Sequence, residues 1–311
     1  MNDKPADQPV EQATEANPKV DVADVSYVIQ AVRRGDDNEI KKVLSEHILA
    51  LAEKHAVGGY KIVLLFDEKD EISNWHSNRI YTAASNGEKK DILLIIQSPG
   101  GSIEPAYLIS KTCIRLAAQK FVVAVPRRAK SAATLIALGA NEIHMGLMSE
   151  LGPIDPQFGG FPALAMRNAL TLLAELSCKH PGSSEMLGKF LAEKLDLRIL
   201  GYFERVNESA VQYAERLLEG KPLPSAYTPQ TLSDHFVNHY KDHGFVIDAD
   251  EATKLLGSKI VRQATPEYAF ANEVHGSLDF IKIFMDIYGE KEFDYVGSAD
   301  TGLVIRKKKA N

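Results

Sequence analysis

The chain has 311 residues, 45% of them hydrophobic and 25% charged, which is enough for one large α/β domain with helical additions. With 36 Lys and Arg against 42 Asp and Glu, its net charge is −6. That balance creates no general field for nucleic acid, and no helix shows a basic face with interleaved aromatics, so a nucleic-acid role is disfavoured.

Residues 1–24 are rich in Asp, Glu, Pro, Asn and Gln and are expected to form a flexible acidic tail, because they bury too little apolar area to offset ordering entropy. Within that tail, residues 1–18 lack the apolar stretch of a secretory signal, and no run of about 18 apolar residues predicts a transmembrane helix. The two cysteines, Cys113 and Cys178, sit in apolar helix-like stretches outside any metal or redox motif. Buried free thiols in a reducing, cytoplasmic compartment are the expectation.

Residues 25–57 carry apolar side chains at helical spacing (Val28, Ile29, Val32; then Ile40, Val43, Leu44, Ile48, Leu51), predicting two helices broken near Gly35-Asp36-Asp37. From residue 58 a βα alternation sets in and is taken as one domain to residue 311. Strands are predicted at 61–66, 91–97, 121–125 and 142–145, with helices at 72–85, 104–118 and 132–139 between them. Short apolar strands separated by single helices imply parallel pairing through right-handed crossovers, so the fold class is α/β. Beyond Gly160 helices are expected at 162–179, 183–196, 198–219 and 229–240. A βα-like piece follows at 245–261, then a helix at 270–288 and a strand at 303–306. The closing Arg306-Lys307-Lys308-Lys309 run reads as a solvated tail.

Three segments concentrate chemistry. Gln97-Ser98-Pro99-Gly100-Gly101-Ser102 lies where a parallel strand ends, the rim at which ligand and catalytic groups gather. Adjacent glycines leave backbone N–H groups open to an incoming oxygen. The second segment, Pro126 to Ala133, also follows a strand and opens a helix at Ser131. A serine there commonly serves as an N-cap, and the same place suits a nucleophile because first-turn amides favour developing negative charge. In the third, Met148 to Gln157, Pro153 and Pro156 hold Asp155 on a rigid course.

Together, Ser-Pro-Gly-Gly-Ser at 98–102, the Ala129-Lys130-Ser131-Ala132-Ala133-Thr134 run and Ser149-Glu150-Leu151-Gly152-Pro153-Ile154-Asp155-Pro156-Gln157 resemble the serine dehydrogenase proteinase family. That group is related to the proteolytic subunit of the Clp protease and to signal peptide peptidases of the SppA type. The resemblance is dense over residues 60–160 and thin over 230–261. It implies a Clp-protease/crotonase-like fold, a serine peptidase, Ser131 as nucleophile, and the N–H groups of Gly101 and Ala132 as oxyanion hole. Homo-oligomers acting on peptide or unfolded protein substrates are implied too, with the helices after residue 160 as candidate interface.

A serine needs a base within hydrogen-bond reach. The Clp subunit carries a histidine in the loop after the next strand; here that loop offers Asp155, and the family's chain order Ser, Asp, His places the base downstream. His243 is favoured because it precedes a helix opening with Glu251-Ala252, as a triad member does in the Clp-like pattern; His239 comes second. The SppA type uses a desolvated lysine instead, for which Lys179, Lys189 and Lys194 are candidates, and Lys130 is expected to lend positive charge. The base stays open between histidine and lysine. Competing readings are a crotonase-type enzyme acting on acyl-CoA, which would share the two amides, and a non-catalytic scaffold. No GxGxxG follows a strand, so no nicotinamide site is expected, nor any other cofactor or metal.

Overall fold

Each of the first two helices is defined by its cap. The Asp24 carboxylate accepts from Ser26 N–H at 2.8 Å to start α1 (Val25–Arg34), which ends where Gly35 adopts a left-handed φ of 79°. Asp36 caps α2 (Asp37–Lys54) in the same way, accepting from Asn38 and Glu39. The computed structural model describes residues 22–158, 161–194, 196–289 and 291–307. Residues 1–21 of the expected tail, and Lys308 and Lys309 of the basic run, lie outside it.

The βα alternation follows as β1 (Lys61–Phe66), α3 (Asn74–Ser85), β2 (Ile92–Gln97), α4 (Ile103–Leu116), β3 (Phe121–Ala124), β4 (Arg128–Ala129), α5 (Ala132–Leu138), β5 (Glu142–His144) and β6 (Glu150–Leu151). Then come β7 (Gln157–Phe158), β8 (Phe161–Pro162), α6 (Ala163–Lys179), α7 (Ser184–Lys194), α8 (Leu197–Leu218), α9 (Pro229–Asp234), α10 (Ala249–Leu256), β9 (Val261–Arg262), α11 (Pro266–Gly289), β10 (Lys291–Ser298) and β11 (Leu303–Lys307). The main sheet runs β11-β10-β1-β2-β3-β5-β9; β1, β2, β3, β5 and β9 pair in parallel, and the β10–β11 hairpin is antiparallel at one side. The fold is a mixed α/β fold of the Clp-protease/crotonase-like type.

Strand residues alternate between two cores, as the two-residue period of a strand requires. Val63, Leu65, Leu94, Ile96, Phe121 and Val123 face α3, α4, α5 and α8. Ile62, Leu64, Leu93, Ile95 and Val122 face α1, α2 and α11 on the other side. This two-sided covering explains the unbroken apolar runs of the central strands.

Several expectations shift. The helix expected from residue 72 begins at Asn74, because Ile72 forms a parallel bridge with Gly101 and Ser73 closes a capping box with His76. The helix expected over 229–240 stops at Asp234 and passes into a single π-type turn, His235–His239. Strand β10 was not expected: charged Glu292 and Asp294 and the glycine at 297 mask its apolar Phe293, Tyr295 and Val296. Cys113 is buried but Cys178 is exposed, as are the apolar Leu172 and Leu176 of the same helix, so its apolar setting in the sequence did not mean burial. Among the described residues no helix is long and apolar enough to cross a membrane.

Leu94 is wholly buried at the centre of β2. Leu94→Ala is expected to cost about 2–5 kcal/mol of folding stability, read as a lowered midpoint in urea unfolding with the slope unchanged.

Candidate functional site

The segments leaving β2 and β3 remain paired beyond the main sheet. Ser98 N–H donates to the Arg128 carbonyl (3.0 Å) and Lys130 N–H donates back to the Ser98 carbonyl (3.1 Å). β4 pairs in parallel with β6, so the third segment joins the same small layer. On the other flank Ile72 N–H donates to Gly100 O and Ser102 N–H to Ile72 O, both at 2.8 Å. Gly100 and Gly101 have φ of 110° and 146°, and side chains there would collide: a Cβ on Gly100 would lie 2.8 Å from the Ser131 Cβ, and one on Gly101 2.1 Å from Ile72 N. The two glycines are required by close approach as well as by backbone conformation. Neither the Gly101 nor the Ala132 N–H meets an acceptor among the described residues.

Ser131 sits at the head of α5 with φ 52° and ψ −119°, a conformation that costs a non-glycine residue about 1–3 kcal/mol. Its hydroxyl makes no capping bond, so the N-cap role is not taken up. The turn is held from below: the buried Thr134 hydroxyl donates to Ala129 O (2.7 Å) and accepts from Gly152 N–H (2.9 Å), and Ala133 N–H donates to Lys130 O (2.8 Å).

Asp155 is buried between Pro153 and Pro156, its loop pinned by Ile154 N–H donating to the Phe236 carbonyl at 2.8 Å. Its Oδ1 lies 2.5 Å from His243 Nδ1, and its Oδ2 accepts from the Gln157 amide at 3.0 Å. A carboxylate only accepts, so Nδ1 carries the proton of the neutral ring and Nε2 is left with the lone pair. Asp155 holds the His243 imidazolium above the ordinary histidine value through its hydrogen bond, while burial and Lys130 pull the other way. Ser131, His243, Gly100, Gly101 and Gln157 line one pocket of about 650 Å³, to which Tyr202, Arg205 and Val206 of α8 also contribute.

The other candidates lie elsewhere. His239 is exposed, its ring stacked on His235 with centroids 4.1 Å apart. Lys179 is exposed at the end of α6, without the burial a lysine base requires, and Lys189 is exposed and paired with Glu185. The side chain of Lys194 lies outside the described residues. His144 is buried in β5, bonded to Thr265. Gln157 and the α8 wall were missed by sequence reasoning: Gln157 stood in a motif already singled out, whereas α8 reaches the pocket only through the fold. Lys130, expected to lend charge, places its ammonium on Glu150 and on the Phe245 carbonyl.

The one group with metal-ligating spacing among the described residues is Asp67, Asp70 and Asp294, which no sequence motif marked. Arg306 bridges Asp70 and Asp294, so a cation is already supplied by the chain.

A strained serine, two amides that meet no acceptor among the described residues and a carboxylate-bound histidine thus gather at the rim of the parallel sheet of a Clp-protease/crotonase-like fold. Residues 71–174 match the family of ClpP-like SDH-type serine proteinases. Two uncharacterized proteins of Methanocaldococcus jannaschii are similar: one is 43% identical over 81 residues, covering 26% of this chain and 28% of the relative. The other is 38% identical over 82 residues, with the same coverage of 26% and 28%. The chain thus matches little more than a quarter of either relative's length. Two solved structures of a mutated membrane-bound stomatin-specific protease are also similar. One has a TM-score of 0.40 at 15% identity, covering 70% of this chain and 82% of the other. The second, in complex with a substrate peptide, has a TM-score of 0.39 at 15% identity, covering 80% and 87%.

The Asp155–His243 contact has a measurable sign. In a histidine-selective NMR titration His243 is expected to titrate above its ordinary value, and Asp155→Asn is expected to bring it down. Because the folded value is raised, the pair's contribution to stability is fully present below the unfolded histidine value. It fades as pH rises through the folded one.

Proposed function

We propose that this chain is a serine peptidase that forms an acyl-enzyme on Ser131. His243 Nε2 takes the Oγ proton as Oγ attacks the peptide carbonyl, and the N–H groups of Gly101 and Ala132 receive the oxyanion. The imidazolium, steadied by Asp155, returns its proton to the leaving amine, and water then repeats the sequence to release the acid. A single observation carries this reading: a serine held at φ 52° with its hydroxyl off the helix cap shares a pocket with a histidine whose far nitrogen is bound to a buried carboxylate. The family match over 71–174 supports the same class of chemistry.

Histidine is preferred to lysine as base because Lys179 is exposed and absent from the pocket lining, while His243 is present in it. Peptides or unfolded segments are the proposed substrates. The helices after residue 160 expose Leu172, Met186 and Phe190, which supports association between copies through them.

Labelling by a fluorophosphonate probe tests the reading. The native chain is expected to label, Ser131→Ala not at all, and His243→Ala at least about 100-fold more slowly. Lys179→Ala should label like the native chain. An unlabelled native chain overturns the peptidase reading and moves the acyl-CoA and scaffold readings ahead of it.

A further inference from the structure

Between Tyr240 and Ile247 the chain that carries His243 has few ties to the rest of the protein. Gly244 N–H donates to Asp242 Oδ1 (2.9 Å), Phe245 N–H to the Asp242 carbonyl (3.1 Å), and the Phe245 ring packs at a 31° tilt against Tyr240 (centroids 4.6 Å apart), all within the segment itself. The segment is anchored at its two ends, by the Tyr240 hydroxyl donating to Glu251 (2.6 Å) and by Ile247 pairing with Leu151 (2.9 and 3.1 Å). Between them, among the described residues, the hydrogen bonds leaving it are the His243 contacts with Asp155 and Gln157 and those to the carbonyls of Gly244 and Phe245. Both carbonyls accept from one group, the Lys130 ammonium, at 3.4 and 2.8 Å.

That ammonium also lies 3.1 Å from Glu150 Oε2 and 3.4 Å from the Leu151 carbonyl, with its side chain only 15% exposed. Every partner is an acceptor, so the group acts as a donor and not as a proton acceptor for its neighbour Ser131. Its stem is confined: a Cβ on Gly152 would come within 2.8 Å of Lys130 Cδ. The backbone of the same residue is bound to Ser98 on one side and Ala133 on the other.

We propose that Lys130 is a positioning residue, latching the backbone just after His243 to the turn that presents Ser131. It rests on the peptidase reading for its purpose, though the latch itself is a matter of contacts. One residue then ties nucleophile to base: its backbone is part of the serine turn, and its side chain reaches across to the base's loop, between the Asp155–His243 bond and the Leu151–Ile247 pairing. A misplacement of about 1 Å between reacting groups can cost about 100-fold in rate, so the latch matters although it touches no substrate.

Lys130→Met tests this, because it removes the ammonium and keeps an unbranched stem under Gly152. We expect a folded protein that labels with a fluorophosphonate about 100-fold more slowly, while Glu150→Gln, which leaves the carbonyl acceptors in place, labels within about threefold of the native rate. The second readout is the His243 titration, which Asp155 and Asp242 raise and burial and Lys130 lower. If Lys130 is a latch, its loss frees His243 from Asp155 and the midpoint falls. If Lys130 is only a nearby charge, its loss leaves the Asp155 bond intact and the midpoint rises; that rise, or an unchanged labelling rate, overturns the proposal. Should Lys130→Met fail to fold because Glu150 loses its partner, Lys130→Met with Glu150→Met removes both charges and is read in the same way. A native chain that does not label would remove the peptidase reading, and the direction of the titration would still decide the latch.

Discussion

Parallel pairing that continues past the ends of the strands governs the architecture of this site. β2 and β3 leave the main sheet at Gln97 and Ala124, yet Ser98 and Ala129 still form a parallel bridge, and Arg128–Ala129 pairs with Glu150–Leu151. The segments bearing the glycines, the serine and the aspartate are therefore strand-like themselves, with ladder hydrogen bonds fixing their relative register. Loops held only by side chains would leave the same groups free to drift.

This rigidity is also what sustains the backbone at Ser131. A conformation unfavourable by about 1–3 kcal/mol persists only where the surroundings over-determine it. Here the carbonyl of Lys130, the Thr134 hydroxyl and the N–H of Gly152 act together on one short turn, and Gly100 fits against it with no room for a methyl group.

Much of this was legible in the residues. The continuous apolar runs KIVLLF and ILLIIQ announce strands covered on both faces, and Pro-Gly-Gly and the Ser131 helix start announce the rim. Ser131, Asp155 and His243 were named from motif order, and the fold brings all three to one place. What stayed hidden depends on contacts between distant parts of the chain. The α8 wall of the pocket has no motif, because any amphipathic helix could occupy that place. The reach of Lys130 to Phe245 spans 115 positions, and nothing local marks it. Strand β10 is obscured by its charges, since it becomes a strand by pairing with β1 and β11. Cys178 and Lys179 are both exposed, which was hidden because helical periodicity shows which residues share a face but not whether anything covers it.

The ends of the main sheet bear on how copies of this chain can meet. At one end β9 has only two residues, Val261 and Arg262, too short to template a foreign strand. At the other, β11 finishes on exposed Arg306 and Lys307, charges that a second strand would have to sit beside. Short and cationic borders of this kind discourage edge-to-edge addition and with it fibrillar growth. The margins of the sheet thus present little backbone to which another strand could be added.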